Sequence, residues 1–252
     1  MEMKIQLIRN ATLFIEYAGV TLLVDPMFSE KEANPPVINT ANELRNPRVP
    51  LPVELEKLVQ PDALLVTHRH PDHWDEPAQK QISKETAVFC QPEDEGEIRA
   101  AGFARTTPVE RSVTFQGITV TRTGGQHGTG EIGKQMGPVC GFVLQAEGEP
   151  TVYIAGDTIW CRDVEEALDA YQPDLTIVNA GGARFVTGDP IIMDENDVLA
   201  LLRHQPDTRV AAVHMEAINH CFVTRDDLRD AIEKAGYSSR VIIPEDGEVF
   251  ID

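Results

Sequence analysis

A chain of 252 residues, 42% hydrophobic and 25% charged, is long enough for one large domain with its own core and needs no disulfide or metal staple to fold. Its 41 acidic against 22 basic side chains leave a net charge of −19, which repels phosphate backbones and anionic bilayers; with no Lys/Arg run to offset it, nucleic acid and membrane surface are excluded as expected partners. No apolar stretch is long enough to span a bilayer, the start has no signal-peptide pattern, and Cys90, Cys140, Cys161 and Cys221 form no CxxC pair, so a cytoplasmic protein with reduced thiols is expected.

Strands dominate the first third. Lys4–Ile8 alternates, Ala11–Tyr17 is rich in β-formers, and Val20–Val24 is a short apolar run stopping at Asp25-Pro26; Gly19 between the last two predicts a hairpin. Residues 29–52 are polar and carry Pro35, Pro36, Pro47, Pro50 and Pro52, which predicts a long loop, either a lid or binding loop or a solvated excursion. Pro52–Val59 reads as a short helix, Ala63–Thr67 as a buried strand, and Glu93–Ala101 as a helix closed by Gly102. Strands are predicted at Ile118–Thr123, Cys140–Gln145, Thr151–Ala155, Leu175–Asn179 and Val210–Val213, with a helix at Asp194–Leu202. Thr224 followed by Asp227 resembles a capping box, opening a helix that Gly236 closes. Arg240–Ile243 and Glu248–Ile251 finish the chain as strands, read as a hairpin through Asp246-Gly247. Neither strict βαβ alternation nor an all-β pattern fits. Two packed sheets covered by outer helices, in a single domain over 1–252, satisfy the order.

The densest chemistry is Thr67-His68-Arg69-His70-Pro71-Asp72-His73, directly after a buried strand. Imidazole and carboxylate are the donors that zinc and related divalent ions accept. A chance cluster of surface histidines predicts no further donors at strand ends. Here His127 follows a strand within Gly124-Gly125-Gln126-His127-Gly128, Asp157 follows Thr151–Ala155, His214 follows Val210–Val213, and Asp25 follows Val20–Val24. Such recurrence points to one edge of a packed sheet gathering a metal site. Asp25 also reads as a turn residue before Pro26.

In chain order these residues resemble the pattern of the metallo-β-lactamase superfamily: HxHxDH, a distant His, an Asp and a final His, here His68-x-His70-x-Asp72-His73, His127, Asp157 and His214. The segments Asn10-Ala11-Thr12-Leu13-Phe14-Ile15-Glu16 and Leu23-Val24-Asp25-Pro26 are similar to one branch, the ascorbate-6-phosphate lactonases and N-acylphosphatidylethanolamine phospholipase D-like hydrolases. That branch opens with Gly-His-Ala-Thr; Asn10 stands in place of its histidine, whose role does not carry over. The resemblance implies an α+β fold, a four-layer αβ/βα sandwich of two mixed β-sheets flanked by helices. It implies two divalent metal ions per chain, zinc or else manganese or iron. His68, His70 and His127 would hold the first ion and Asp72, His73 and His214 the second, with Asp157 bridging. Asp25 would stand behind them, orienting a histidine by accepting its other N–H. Water bridging two dications loses a proton near neutral pH and becomes a nucleophile, and Asp72 could shuttle the proton as the catalytic carboxylate.

The expected function is therefore binuclear metal-dependent hydrolysis of a small soluble ester, lactone or phosphoester. The alternative is a non-catalytic metal- or ligand-binding protein that retains the fold. Candidate substrate-binding residues are His220, Arg184 and Trp160. His220 competes with His214 as last ligand, and His214 is preferred because it ends an apolar strand. Arg184 also reads as a surface arginine. A homo-oligomer is left open.

Overall fold

The computed structural model describes residues 3–252, and its fourteen strands fall into two mixed seven-stranded sheets. The first contains β1 (Lys4–Arg9), β2 (Thr12–Tyr17), β3 (Val20–Val24), β4 (Ala63–Val66), β5 (Ala87–Cys90) and β6 (Thr106–Pro108), in that spatial order, with β14 (Val249–Ile251) outside β1. The second runs β7 (Ser112–Phe115), β8 (Ile118–Thr123), β9 (Gly141–Gln145), β10 (Val152–Ile154), β11 (Leu175–Asn179), β12 (Arg209–Val213) and β13 (Val241–Ile242). Chain order and spatial order largely coincide because most neighbours are joined by hairpins or single crossovers.

Period-two side chains divide the core into three layers. In β4, Ala63 and Leu65 face the second sheet, while Leu64 and Val66 face outward under α1 (Glu76–Gln81) and α2 (Glu95–Ala100). In β12, Ala211 and Val213 face the first sheet, while Val210 and Ala212 face α4 (Arg162–Tyr171), α5 (Glu195–His204) and α6 (Arg225–Ala235). The short α3 (Gly130–Met136) lies after β8. This is the expected helix–sheet–sheet–helix sandwich. No helix among the described residues is long and apolar enough to cross a membrane.

Side chains cap α5 and α6, the second as the sequence indicates. Asp194 accepts from Asn196 N and Asp197 N to open α5, and Thr224 with Asp227 forms a reciprocal capping box at α6, which Gly236 ends in the left-handed region. Two expectations are corrected. Pro52–Val59 forms only a 3₁₀ turn at Leu55–Lys57, because no side chain caps it and a single turn already seats Leu58 in the outer core. Asp246-Gly247 does turn, but its flanking strands part: β13 pairs parallel with β12, and β14 pairs antiparallel with β1 in the other sheet. Gly247 N donates to the carbonyls of Leu7 and Ile8, carrying the chain from one sheet to the other.

Residues 29–52 contain no helix or strand, only an isolated bridge between Asn34 and Asn46. Side chains tie the segment down instead. Buried Arg9 donates to the carbonyls of Met27, Ser29 and Val49. Buried Asn219 accepts from Val37 N at 2.9 Å and Asn46 Nδ2 at 2.8 Å, and its Nδ2 donates to Thr40 Oγ1 at 2.9 Å. The loop is thereby strapped to the chain that follows β12.

Candidate metal centre

Five parallel or near-parallel strands deliver polar side chains at their C-terminal ends to one edge of the sandwich: β3 gives Asp25, β4 His68, β8 His127, β10 Asp157 and β12 His214. After β4 the chain turns back at His70, whose carbonyl accepts from the N–H of both His73 and Trp74, so one tight turn presents His68, His70, Asp72 and His73 together. Both sheets contribute, and the donors meet across the seam between them.

Three groups have donor atoms within 4.8 Å of one another: His68, His70 and His127; His68, His73 and Asp157; and Asp72, His73 and His214. Asp157 joins them. Its Oδ2 lies 3.2 Å from His73 Nε2, 3.5 Å from His127 Nε2 and 3.8 Å from His68 Nε2, and its Oδ1 lies 3.8 Å from His214 Nε2. His68 Nε2 faces His70 Nδ1 at 3.0 Å, and His73 Nε2 faces His214 Nε2 at 3.1 Å. Two imidazole nitrogens at that separation repel unless a proton or a cation lies between them. The donor set, imidazoles plus carboxylates in two triads with one shared aspartate, fits a pair of divalent ions.

The outward-facing atoms fix which nitrogen points inward. His73 Nδ1 lies 2.8 Å from Asp25 Oδ2, so that its Nε2 faces the cluster. His127 Nδ1 donates to the Ile191 carbonyl at 2.7 Å. Thr67 gives its hydroxyl proton to Asp25 Oδ2 at 2.6 Å, which leaves its oxygen to accept from His68 Nδ1 at 3.1 Å. Asn179, at the end of β11, donates to Asp157 Oδ1 at 2.6 Å. Each contact selects a tautomer or an orientation before any ligand arrives.

Burial and mutual charge set the protonation. Burial alone pushes His73 down, yet Asp157, Asp72 and Asp25 together carry it up to about 10. Burial would raise Asp72 and Asp157, but the neighbouring histidines, His73 foremost, hold both carboxyls well below the usual range. His68 and His127 are lowered, first by burial, His127 to about 4. Burial would lower His214 too, but Asp157 foremost raises it. The metal-free site thus mixes neutral His68 and His127 with protonated His73 and His214 and ionised carboxylates, and a bound cation would take the place of those protons.

The other candidates are placed differently. Buried His220 lies within the electrostatic reach of Asp72 and His214, with Nδ1 lacking a hydrogen-bond partner among the described residues. Arg184 donates its backbone N–H to the His220 carbonyl and sets its guanidinium over Phe222, 5.3 Å from the ring centre. Trp160 packs edgewise on His204 at 5.4 Å and joins the core beneath the outer helices of the second sheet. Residues outside the expected ligand set also shape the site. Asn10, in the left-handed region at φ 58°, donates to the Asp72 carbonyl at 3.1 Å and accepts from His214 N at 2.9 Å through its own carbonyl. Thr67, Asn179 and the Ile191 carbonyl are the others. Thr67 and Asn179 were signalled only by lying beside a ligand and at a strand end, Asn10 by its place in the opening motif, and Ile191, a backbone contact from the loop after β11, carried no sequence signal.

Beside Asp72 opens a cavity of about 720 Å³, walled on one side by the 29–37 stretch and on the other by Pro71–Pro77.

A family model described as a beta-lactamase superfamily domain matches residues 21–215, a span that includes every donor named above. UPF0173 protein YddR of Bacillus subtilis is 36% identical over 252 residues, covering 98% of this chain and 99% of its own length. Among solved structures, an isothiocyanate hydrolase from Delia radicum gut bacteria is 40% identical, with a TM-score of 0.94 over 99% of both chains. A possible metal-dependent hydrolase from Veillonella parvula is 35% identical, with a TM-score of 0.96 over the whole of both chains.

Proposed function

The chain belongs to the metallo-β-lactamase superfamily and is a metal-dependent hydrolase, and from that premise we propose that it acts through a binuclear site on a small-molecule ester, lactone or phosphoester. The observation that carries this reading is the pair of donor triads sharing Asp157. His68, His70 and His127 would hold one divalent ion and Asp72, His73 and His214 the other, with Asp157 between them; zinc fits best, and manganese and iron suit the same donors. When bound, such ions supply an acidified water and Lewis-acid polarisation of the bond to be cleaved.

The protein's own residues do the rest. Asp25 and Thr67 hold His73 and His68 in the tautomers that face the centre. Asn179 keeps Asp157 in place from behind. Asp72, kept ionised and lining the cavity, is the carboxylate suited to take a proton from water and return it to the leaving group. His220, buried within electrostatic reach of Asp72 and His214, would meet the substrate from beside the second triad. Residues 29–52 would form the wall of the substrate pocket. The isothiocyanate hydrolase relative adds the central carbon of an R–N=C=S group to the electrophiles this centre would suit. The reading places the protein in the cytoplasm.

Elemental analysis of protein purified without a chelating tag tests the reading first: about two equivalents of zinc, manganese or iron per chain are expected. A screen of esters, lactones, phosphodiesters and isothiocyanates, with and without chelator, follows. Absence of metal uptake, or turnover indifferent to chelation, overturns it.

A further inference from the structure

The cavity beside Asp72 says what kind of molecule the centre admits. Its walls are mostly apolar, with Met27, Val37, Trp74 and Ile218 among exposed Pro35 and Pro71. The polar Ser29, Asn34 and Asn46 in the lining are engaged with Asp75, Ser29 and Asn219 respectively. Its charged lining residues are Glu30, Asp72, Asp75 and Glu76, and no lysine or arginine lines it. Asp75 is already occupied, with Oδ2 accepting from Ser29 N and Oγ and Oδ1 accepting from Ala78 N. Glu30 and Glu76 are exposed at the rim. On the other flank, the shallow depression beside His127 holds Lys134, which is exposed and paired with Glu131. An anionic group distant from the metal centre thus meets apolar wall and negative rim, with no guanidinium or ammonium to receive it.

Resting on the hydrolase reading, we propose that this cavity binds the uncharged, apolar tail of the substrate and rejects an anionic one. The scissile group lies at Asp72 and the tail extends between the 29–37 strap and the Pro71–Pro77 turn. Hydrocarbon burial on these walls makes chain length a determinant of affinity, by roughly fourfold per methylene fully buried. The strap through Asn219 keeps the wall formed before the ligand arrives, so little ordering is needed on binding.

The test uses metal-loaded full-length protein and p-nitrophenyl esters whose acyl chains lengthen from acetyl to octanoyl, ending in methyl or in carboxylate. Calorimetric binding of unhydrolysable N-alkylacetamides with the same two endings is measured in parallel. The expected result is a kcat/KM and an affinity that climb with chain length for the methyl-ended series and fall at least tenfold for the carboxylate-ended one. Val37→Asp lowers kcat/KM on the methyl-ended hexanoyl ester. Glu30→Lys, at an exposed position that does not threaten folding, raises kcat/KM on its carboxylate-ended counterpart. Length-independent binding, or equal binding of the two endings, overturns the proposal even if esters are hydrolysed. Length-dependent amide binding without any ester turnover upholds the pocket assignment and defeats the ester-hydrolysis reading instead.

Discussion

His70 is the most dispensable of the clustered histidines for folding and among the least dispensable for the site. It is half-exposed, whereas His68, His73 and His214 are buried, and its Nδ1 completes the triad with His68 and His127. His70→Ala is therefore expected to remove activity and most of one metal equivalent while circular dichroism stays unchanged; full activity in that variant would sink the assignment. Asp25 acts one bond further out. Asp25→Asn keeps the shape but loses the carboxylate that fixes His73, and a 10–100-fold loss of metal affinity is expected by competition with a chromophoric chelator. The lowered imidazoles give the metal-free protein a pH dependence of its own. His127 titrates near 6.5 unfolded and at about 4 folded. Between those values the unfolded chain binds more protons, so stability is fully present above pH 6.5 and falls as pH drops towards 4. His73, raised from 6.5 to about 10, acts in the opposite sense: its stabilisation is complete below about pH 6.5 and is lost as pH rises from there towards 10, so it works against the His127 effect and does not add to it. Urea unfolding of chelator-treated protein at pH 7 and 5 should show the loss, and His127→Gln should shrink it.

At the scale of elements, close approach of backbones builds the seam. Gly181, just after β11, leaves no room for a side chain: a Cβ there would lie 2.2 Å from the His214 carbonyl and 3.0 Å from Cys221 Cβ. Gly181→Ala is expected to push the His214 segment away, lowering occupancy of the Asp72–His73–His214 triad more than that of the other, as read by metal titration; equal occupancy of both would refute the coupling. The sequence displayed these elements unevenly. The strands leading to Asp25, His68, Asp157 and His214 were legible because each is a short apolar run followed within a few residues by a polar ligand, and β8 because Ile118 and Val120 alternate with threonines ahead of the glycines that precede His127. The capping box at Thr224 was legible because it is local chemistry. β5, β6 and β7 were not singled out, being short and, unlike the equally short β4 and β10, leading to no polar ligand, nor was α4, whose N-terminal residue Cys161 offers no side-chain cap. The β13–β14 separation was invisible for a different reason. Which sheet a terminal strand joins is set by distant partners, β12 and β1, and not by the turn between them.

Across the whole molecule, the metal centre is also a clasp. The first sheet brings Asp25, His68, His70, Asp72 and His73, and the second brings His127, Asp157 and His214, so ions held between them tie the sandwich together at one edge. The core between the sheets is independent of that edge: Leu13, Ile15, Leu65, Phe142, Leu144 and Ile177 are buried there without touching a ligand role. Chelation should therefore soften the molecule without unfolding it. Each ion bound at 100 to 1,000 times its dissociation constant stabilises the native state by about 3–4 kcal/mol. For a domain of this size that corresponds to a melting temperature lowered on chelation by roughly 5–15 °C for each ion lost. The far-UV spectrum at 25 °C should be unchanged, and re-adding metal should restore the transition. Hydrogen exchange localises the effect: protection should drop at the ends of β4, β10 and β12 and persist in their middles, whereas a uniform drop would mean that the ions hold the core itself.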